Sequence, residues 1–409
     1  MVRREIALQF LSICNHTNFA SLSTEILELY KTLLHDENPA IKVIVVDSLS
    51  TFIELLFSKP EAQNNSALKE TVLPLISEAW SDPSWRIRVS IAKYLSKIIN
   101  CFKGETAVEI FRTGYLKLLI DIEADVRSTA LSAVTSVVTV LTPEVFLAEA
   151  MSTLHKLVDD PFLSVRKALA DVSVDISVMS GPQLVAQHLT DLILKLSSDE
   201  ESLVKLRIIK KIDLICDELP SLCTRLTDIL RAAYTDSNWR VRKSVALVTP
   251  SIVKGMGHEY FRDNFVAPLL ALLKDGVNEV RIAAATAVGK IIPITELSWT
   301  FDNLLPPIKS MASDEYLVRV SMLTAIEHVL SSPSVPEKVQ SDMLTLAIGA
   351  SRDKVPNVRI RATQALGTIC TYINAESAKN NIRPVLFELQ NDKDKDVQYF
   401  AKESFKKCP

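Results

Sequence analysis

Val165, Leu169, Val172 and Ile176 fall at i, i+4, i+7 and i+11, which puts four apolar side chains on one face of a helix. Val126, Ala130, Ala133 and Val137 follow the same template, as do Val241, Val245, Val248 and Ile252. Each stretch begins just after a turn such as Asn38-Pro39, Asp82-Pro83 or Asp160-Pro161. Asp or Asn there can cap the first free amides, and Pro suits the first helical position. Upstream of each turn lies a second amphipathic stretch, for example 71–80 or 265–273. The predicted unit is therefore helix A, a short turn, then helix B. Pro74, Pro268, Pro306 and Pro384 recur at nearly one phase of helix A and predict a repeated bend there.

The unit repeats. An aliphatic residue followed by a basic one marks each helix B, at Arg3, Lys42, Arg88, Arg127, Arg166, Lys205, Arg242, Arg281, Arg319 and Arg359, and the beat closes on Gln398. The steps are 39, 46, 39, 39, 39, 37, 39, 38, 40 and 39 residues. A fixed period of this size is the signature of a stacked repeat. A lone pair of such helices is marginal in water, and stacked neighbours bury the faces it leaves open. The expected architecture is all-α: one solenoid over 1–409, with a partial repeat at 1–18, N-terminal repeats over 19–230 and five last repeats over 231–409. Ten complete units follow a leading half-unit, because Met1-Val2-Arg3-Arg4 already reads as the start of a helix B. That half-unit is expected to be either a boundary or a degenerate cap. The long step of 46 puts an insertion in 58–66, a polar surface loop. The periodic Arg residues predict a ladder in which each meets an Asp of its own or the next unit. As exposed pairs they would add only about 0–1 kcal/mol each.

Composition narrows the function. Apolar residues make up 48% of the chain, ample for a continuous core, while only 9 residues are Gly, where about 7% is usual. That scarcity disfavours Gly-rich phosphate loops and turn-dense folds. The net charge of −3 is not the basic footprint of a nucleic-acid binder. The 6 Cys include no CxxC pair and read as buried, reduced thiols of a cytoplasmic or nuclear protein. Neither a signal peptide nor an apolar run long enough to span a membrane is evident. Sequons at Asn15 and Asn64 read as chance matches.

A two-helix unit of about 39 residues, with a helix-A Pro and an Asp followed by Val-Arg, resembles the HEAT repeat. Within that class the chain resembles the scaffold (A) subunit of protein phosphatase 2A. The strings that carry this are Asp82-Pro-Ser-Trp-Arg-Ile-Arg88, Asp236-Ser-Asn-Trp-Arg-Val-Arg242, Gly257-His-Glu-Tyr-Phe261, Asp314-Glu-Tyr-Leu-Val-Arg319, Pro356-Asn-Val-Arg359 and Asp392-Lys-Asp-Lys-Asp-Val-Gln-Tyr-Phe-Ala401. From Asp236 onward the likeness is specific; before it, the text is mostly generic for such repeats. The family has about fifteen repeats, so aligning the C-termini leaves about four units missing at the front. The resemblance implies a non-catalytic scaffold without cofactor or metal. Its partners would be a phosphatase 2A catalytic subunit on the last five units and a B-type regulatory subunit on the N-terminal ones, with no nucleic acid and no membrane.

In that family partners rest on the ridge of A-to-B turns. The resemblance therefore points to Asp236, Asn238, Trp239, Arg240, Asn278, Tyr316, Leu317, Asn357 and Lys395 for the catalytic subunit. It points to Asp82, Ser84, Trp85, Arg86, Glu123 and Asp125 for the regulatory subunit. Trp239 and Arg240 are the best candidates, being the residue types most enriched at binding hot spots. The competing expectation is that Trp239 packs between repeats while Arg240 is solvated. The rival functions are an enzyme, a nuclear-transport-type receptor, a chromosome-organising subunit, which would want a basic ridge, and a HEAT-repeat adaptor of another complex. A metal hydroxylase would need clustered His-Glu pairs, and of 6 His only His258 is followed by Glu. A nuclear-transport-type receptor, another long solenoid, would usually be about twice as long, with an acidic loop and less regular repeats.

Overall fold

The computed structural model describes residues 2–62, 65–102, 105–331 and 335–409, all helix and short connections with no strand among them. Two compact units are distinguished, Met1–Ile208 and Ile209–Pro409. In the first, helix B is Val2–Asn15, Pro39–Phe57, Trp85–Cys101, Ala124–Ser132 with Val134–Leu141, and Leu163–Leu184, each packed on the next. In the second, the series is Ile212–Glu218, Trp239–Met256, Asn278–Ile291, Tyr316–Leu330, Pro356–Ile369 and Lys395–Lys407. An A helix lies against most of the B helices that follow the leading Val2–Asn15.

The periodic apolar face is the core. Val165, Leu169, Val172 and Ile176 are buried, as are Val126, Ala130, Ala133 and Val137. Helix A contributes a recurrent buried tyrosine that the periodicity did not reveal. Tyr30 and Tyr115 donate their hydroxyls to the carbonyls of Val45 and Ala130, 2.9 and 2.7 Å away. Tyr234 bonds the Thr249 hydroxyl at 2.6 Å. All three bonds span 15 residues and tie helix A to the middle of helix B, so the buried phenol is satisfied rather than orphaned.

The bend of helix A is present, and proline is only one way to make it. After Phe265 and Leu304 the helix restarts as Val266–Leu272 and Leu305–Ser310, with Pro268 and Pro306 in the new first turn, where a missing N–H costs nothing. Pro384 sits likewise at the start of Arg383–Leu389. Pro74 lies inside the longer helix Ser66–Trp80. Elsewhere a wide turn of π-helix does the same work, at Leu22–Ile26, Phe111–Tyr115 and Val185–Leu189.

Two expectations need correction. Asn38 caps its helix through Ala40 N, with Pro39 in the first turn, as predicted. Asp82 and Asp160 do not cap. Their Oδ1 atoms accept from the amides of Ser84 and Phe162, 2.8 and 2.9 Å away, and Pro83 and Pro161 stay outside the helices. These are Asx turns, which redirect the chain two residues before helix B begins. The insertion at 58–66 is also not wholly a surface loop: it contains a short 3-10 turn, Pro60–Ala62, whose Ala62 is fully buried. Asn64 lies outside the described residues.

The B-to-A junction shows one strained site. Gly181 and Gly257 have φ of 75° and 87° there, and Thr142 adopts φ 75°, ψ 151° at the same phase. That region is essentially reserved for glycine and costs about 1–3 kcal/mol for a residue with a Cβ. Thr142→Gly is expected to raise the stability of the N-terminal unit by about 1 kcal/mol, after about 0.5–1 kcal/mol of glycine's entropy cost is deducted. A thermal midpoint no higher than wild type would contradict this.

Candidate partner-binding ridge

The A-to-B turns are held by the ladder, which differs in kind from exposed ion pairs. Arg127 donates from Nε and Nη2 to both carboxylate oxygens of Asp160 in the next repeat, at 2.7 and 2.9 Å. Its Nη1 donates back to the carbonyls of Asp121 and Ile122, at 2.7 and 3.2 Å. Asp160 Oδ1 also accepts from Phe162 N, so each carboxylate fixes its own turn and receives the arginine of the preceding repeat. Both side chains are under 10% exposed, at 9% and 6%. The fork recurs at Arg88–Asp121, Arg166–Asp199, Arg242–Asp275, Arg319–Asp353 and Arg359–Asp392. It is looser at the start, where Arg3–Asp36 and Lys42–Asp82 are single contacts of 3.3 and 3.6 Å. The expected ladder is therefore present, but its burial overturns the expectation of weak exposed pairs. Gln398 keeps only the backbone half of the pattern, donating to Asp392 O at 2.6 Å.

One rung is rerouted. Only 5 residues separate Asp314 from Arg319, where its equivalents span 6. Asp314 then accepts from the next amide, Glu315 N, and pairs with Lys274 at 2.5 Å. Arg281 turns to its own loop, donating to Asp275 O, Gly276 O and Asn278 Oδ1.

The ladder shifts proton affinities. Arg359, by its hydrogen bonds, holds the Asp392 carboxyl below its ordinary range. Burial is the largest single effect on Asp121, Asp275 and Asp353 and would raise them, but the bonds from Arg88, Arg242 and Arg319, the backbone amides of their own turns and the nearby cations together outweigh it, and all three are lowered. A carboxyl whose folded pKa is depressed stabilises fully above its unfolded pKa of about 3.9, and that stability is lost as pH falls through the folded value. The thermal midpoint should thus be flat from about pH 7 to 5 and fall steeply below about pH 4. A midpoint that starts to fall between pH 7 and 5 would contradict a carboxylate origin.

On this frame the expected contact residues take defined places. Trp239, Asn278, Tyr316 and Lys395 each open a B helix, and Asn357 is the second residue of its own. Trp239 is half-buried, and the Arg240 guanidinium stacks on its ring at 4.7 Å, with Lys243 Nζ 5.9 Å away. Trp85 and Arg86 repeat the stack at 4.7 Å. The half-buried indole thus carries an exposed cation on its ring. Tyr316 and Leu317 are 43% and 41% exposed. Asn357, Lys395, Glu123 and Asp125 are exposed as well.

Other members of the set are committed to the turn itself. Asp236 accepts from Asn238 N, and Asn238 caps Arg240 N. Asn278 is held by Arg281, and Asp82 by Ser84 N and Lys42. Ser84 is the N-cap residue but makes no side-chain capping bond. Sequence reasoning missed three of the most exposed apolar residues: Ile122 at 86%, Ile120 at 60% and Phe162 at 53%. The signal was available in part, since Ile122 occupies the turn position that is Pro83, Pro161, Ser237 or Gly276 elsewhere. Among the described residues no His/Cys/Asp/Glu group could hold a metal ion, and no helix is long and apolar enough to cross a membrane. The described cysteines are free, all buried except the half-buried Cys101.

A HEAT repeat is recognised by its family pattern at residues 265–295, which is the second half of one helix A, its turn and the following helix B. Both units are HEAT-repeat solenoids. Solved structures extend the match to almost the whole chain. Importin beta superposes with a TM-score of 0.65 at 13% identity, over 97% of this chain and 53% of its own. The karyopherin Kap121p bound to Nup53p gives 0.65 at 13% identity, over 94% and 41%. The chain thus spans about half the length of these relatives or less, and the likeness is one of fold. No curated protein matches the chain in sequence.

Proposed function

We propose that the chain is a non-catalytic scaffold whose A-to-B ridge holds a phosphatase 2A type catalytic subunit on the last five repeats and a B-type regulatory subunit on earlier ones, in the cytoplasm. The observation that carries this reading is the repeated presentation of an aromatic pair-leader at the first turn of helix B: Trp239 with Arg240, and Tyr316 with Leu317. These lie within the strings that resemble the phosphatase scaffold family. Rigid turns carrying aromatic and Arg side chains suit a hot-spot surface, because little conformational entropy is lost on docking. The mechanism is geometric. Holding two partners on one array raises the effective concentration of substrate at the active site, with no chemistry supplied by the scaffold.

The second reading is a transport-type receptor, favoured by the likeness of fold to importin beta and Kap121p. Kap121p has been captured with Nup53p and with the extreme C-terminus of the phosphatase Cdc14p. The deciding experiment is a titration of the immobilised chain with purified phosphatase 2A catalytic subunit, followed by a B-type subunit. Saturable 1:1 binding is expected. A folded chain that binds no catalytic subunit overturns the scaffold reading and leaves the receptor reading standing.

A further inference from the structure

A preformed groove lies away from the ridge, between helix A of two successive repeats in the N-terminal unit. Its walls are Ser66–Trp80 and the helical run 105–119, and its volume is about 890 Å3. That is the size of a ligand site, which is typically about 300–1,000 Å3. The apolar surface comes from Leu73, Pro74 and Val108, with the buried Trp80 and Ile110 at the floor. Trp80 can lie flat there because the neighbouring helix carries Gly114. A Cβ at that position would stand 2.5 Å from the indole ring.

The polar lining has one sign. Glu70, Glu105 and Glu109 are exposed around the groove, and among the described residues none has an ion-pair partner. Among the described residues of the lining the one cation, Arg112, is spent on Glu149, donating from Nε and Nη2 at 3.1 and 2.8 Å. Pro74 adds a further acceptor. It has no N–H, so the Glu70 carbonyl one turn earlier receives no i+4 hydrogen bond inside the helix. Among the described residues the groove thus combines an apolar trough with unpaired acceptors and no free donor cation.

We propose that this groove is a docking site for an amphipathic helix of a partner protein, with bulky apolar residues on one face and Lys or Arg beside them. A helix lays its apolar face into such a trough, and flanking cations meet the carboxylates at its edges. The opposite pattern, an acidic amphipathic helix, would bring like charges together around Glu70, Glu105 and Glu109. The site is on the A helices and is independent of the phosphatase reading of the ridge.

The test uses the full chain and a fluorescent probe, a helical peptide of Leu and Lys with Leu on one face, read by anisotropy. Two control peptides carry Glu for every Lys, or Ala for every Leu. The Leu-Lys peptide is expected to bind, and both controls to bind at least about ten-fold more weakly. Glu105→Lys/Glu109→Lys should weaken the Leu-Lys peptide by about ten-fold or more, since both side chains are exposed and the core beneath is untouched. Glu337→Lys/Glu376→Lys makes the same change of net charge on exposed positions of the C-terminal unit and should leave the affinity unchanged. Equal affinity for the Lys and Glu peptides overturns the proposal, as does equal loss in the two charge variants. A dimer of the chain, seen by sedimentation and abolished by Glu105→Lys/Glu109→Lys with no peptide bound by the wild type, overturns it in favour of a second copy.

Discussion

Trp239→Ala together with Arg240→Ala is expected to remove catalytic-subunit binding, a loss of about 2 kcal/mol or more, or about 30-fold in Kd. The two side chains act as one surface. The indole is fixed at the head of a helix whose third residue, Val241, is fully buried, and the guanidinium 4.7 Å above the ring is held by stacking. A partner therefore meets a pre-ordered apolar and cationic patch, and truncating both members removes the anchor and its orientation. The fold should not notice. Asn238 caps through its own side chain, Val241 and Val245 keep the core, and the Arg242–Asp275 fork is untouched. Far-UV circular dichroism and the thermal midpoint should match wild type while the binding signal collapses. An unchanged Kd would return the Trp-Arg strings to a packing role, and an altered midpoint with unchanged Kd would say that the indole serves the repeat and not the partner.

Asp160→Ala is expected to destabilise the N-terminal unit by about 3–5 kcal/mol, the range for removing one partner of a buried, hydrogen-bonded ion pair. Asp160 is the acceptor for two arginine nitrogens and one backbone amide, and its own carbonyl accepts from Arg166 Nη1 at 2.9 Å. Its loss strands the Arg127 guanidinium, whose residue is 7% exposed, with only the Asp121 and Ile122 carbonyls as hydrogen-bond acceptors and the Phe162 ring 5.7 Å away. The informative partner variant is Arg127→Leu/Asp160→Leu. Removing both charges removes the stranded cation, so much of the loss should be recovered, because a buried pair replaced by apolar groups is often close to neutral. Urea unfolding followed by circular dichroism measures both. A single-variant loss below about 1 kcal/mol would mean that the pair is solvated in practice and that the weak-pair expectation was right. Because repeat arrays can unfold in stages, the first transition is the one to compare.

Much of this architecture was legible in the chain. The 39-residue beat specified two helices per unit, since apolar residues at i, i+4 and i+7 have only one face to occupy and that face must be covered by a neighbour. That the periodic arginines meet aspartates was legible too, but not that most take the Asp of the next repeat, nor that Arg281 turns to its own loop. The bend of helix A was legible where proline makes it and invisible at 22–26 and 111–115, where a wide turn does so without a marker residue. The tyrosine bonds at 30, 115 and 234 were hidden because their acceptors are mostly main-chain carbonyls, which every sequence has.

By itself, then, the sequence determined the repeat, its helices, its core face and the turn positions that lead each helix B, all consequences of local periodicity. The tertiary structure decided what periodicity cannot reach. It set how deeply the Arg–Asp forks are buried, which depends on the next repeat closing over them. It showed that the residue lost between Asp314 and Arg319 reroutes a rung, and that Ile122 and Phe162 face solvent. It brought Leu73, Trp80 and Val108 together with three carboxylates that have no ion-pair partner among the described residues, since a groove between successive A helices exists only once the helices are stacked.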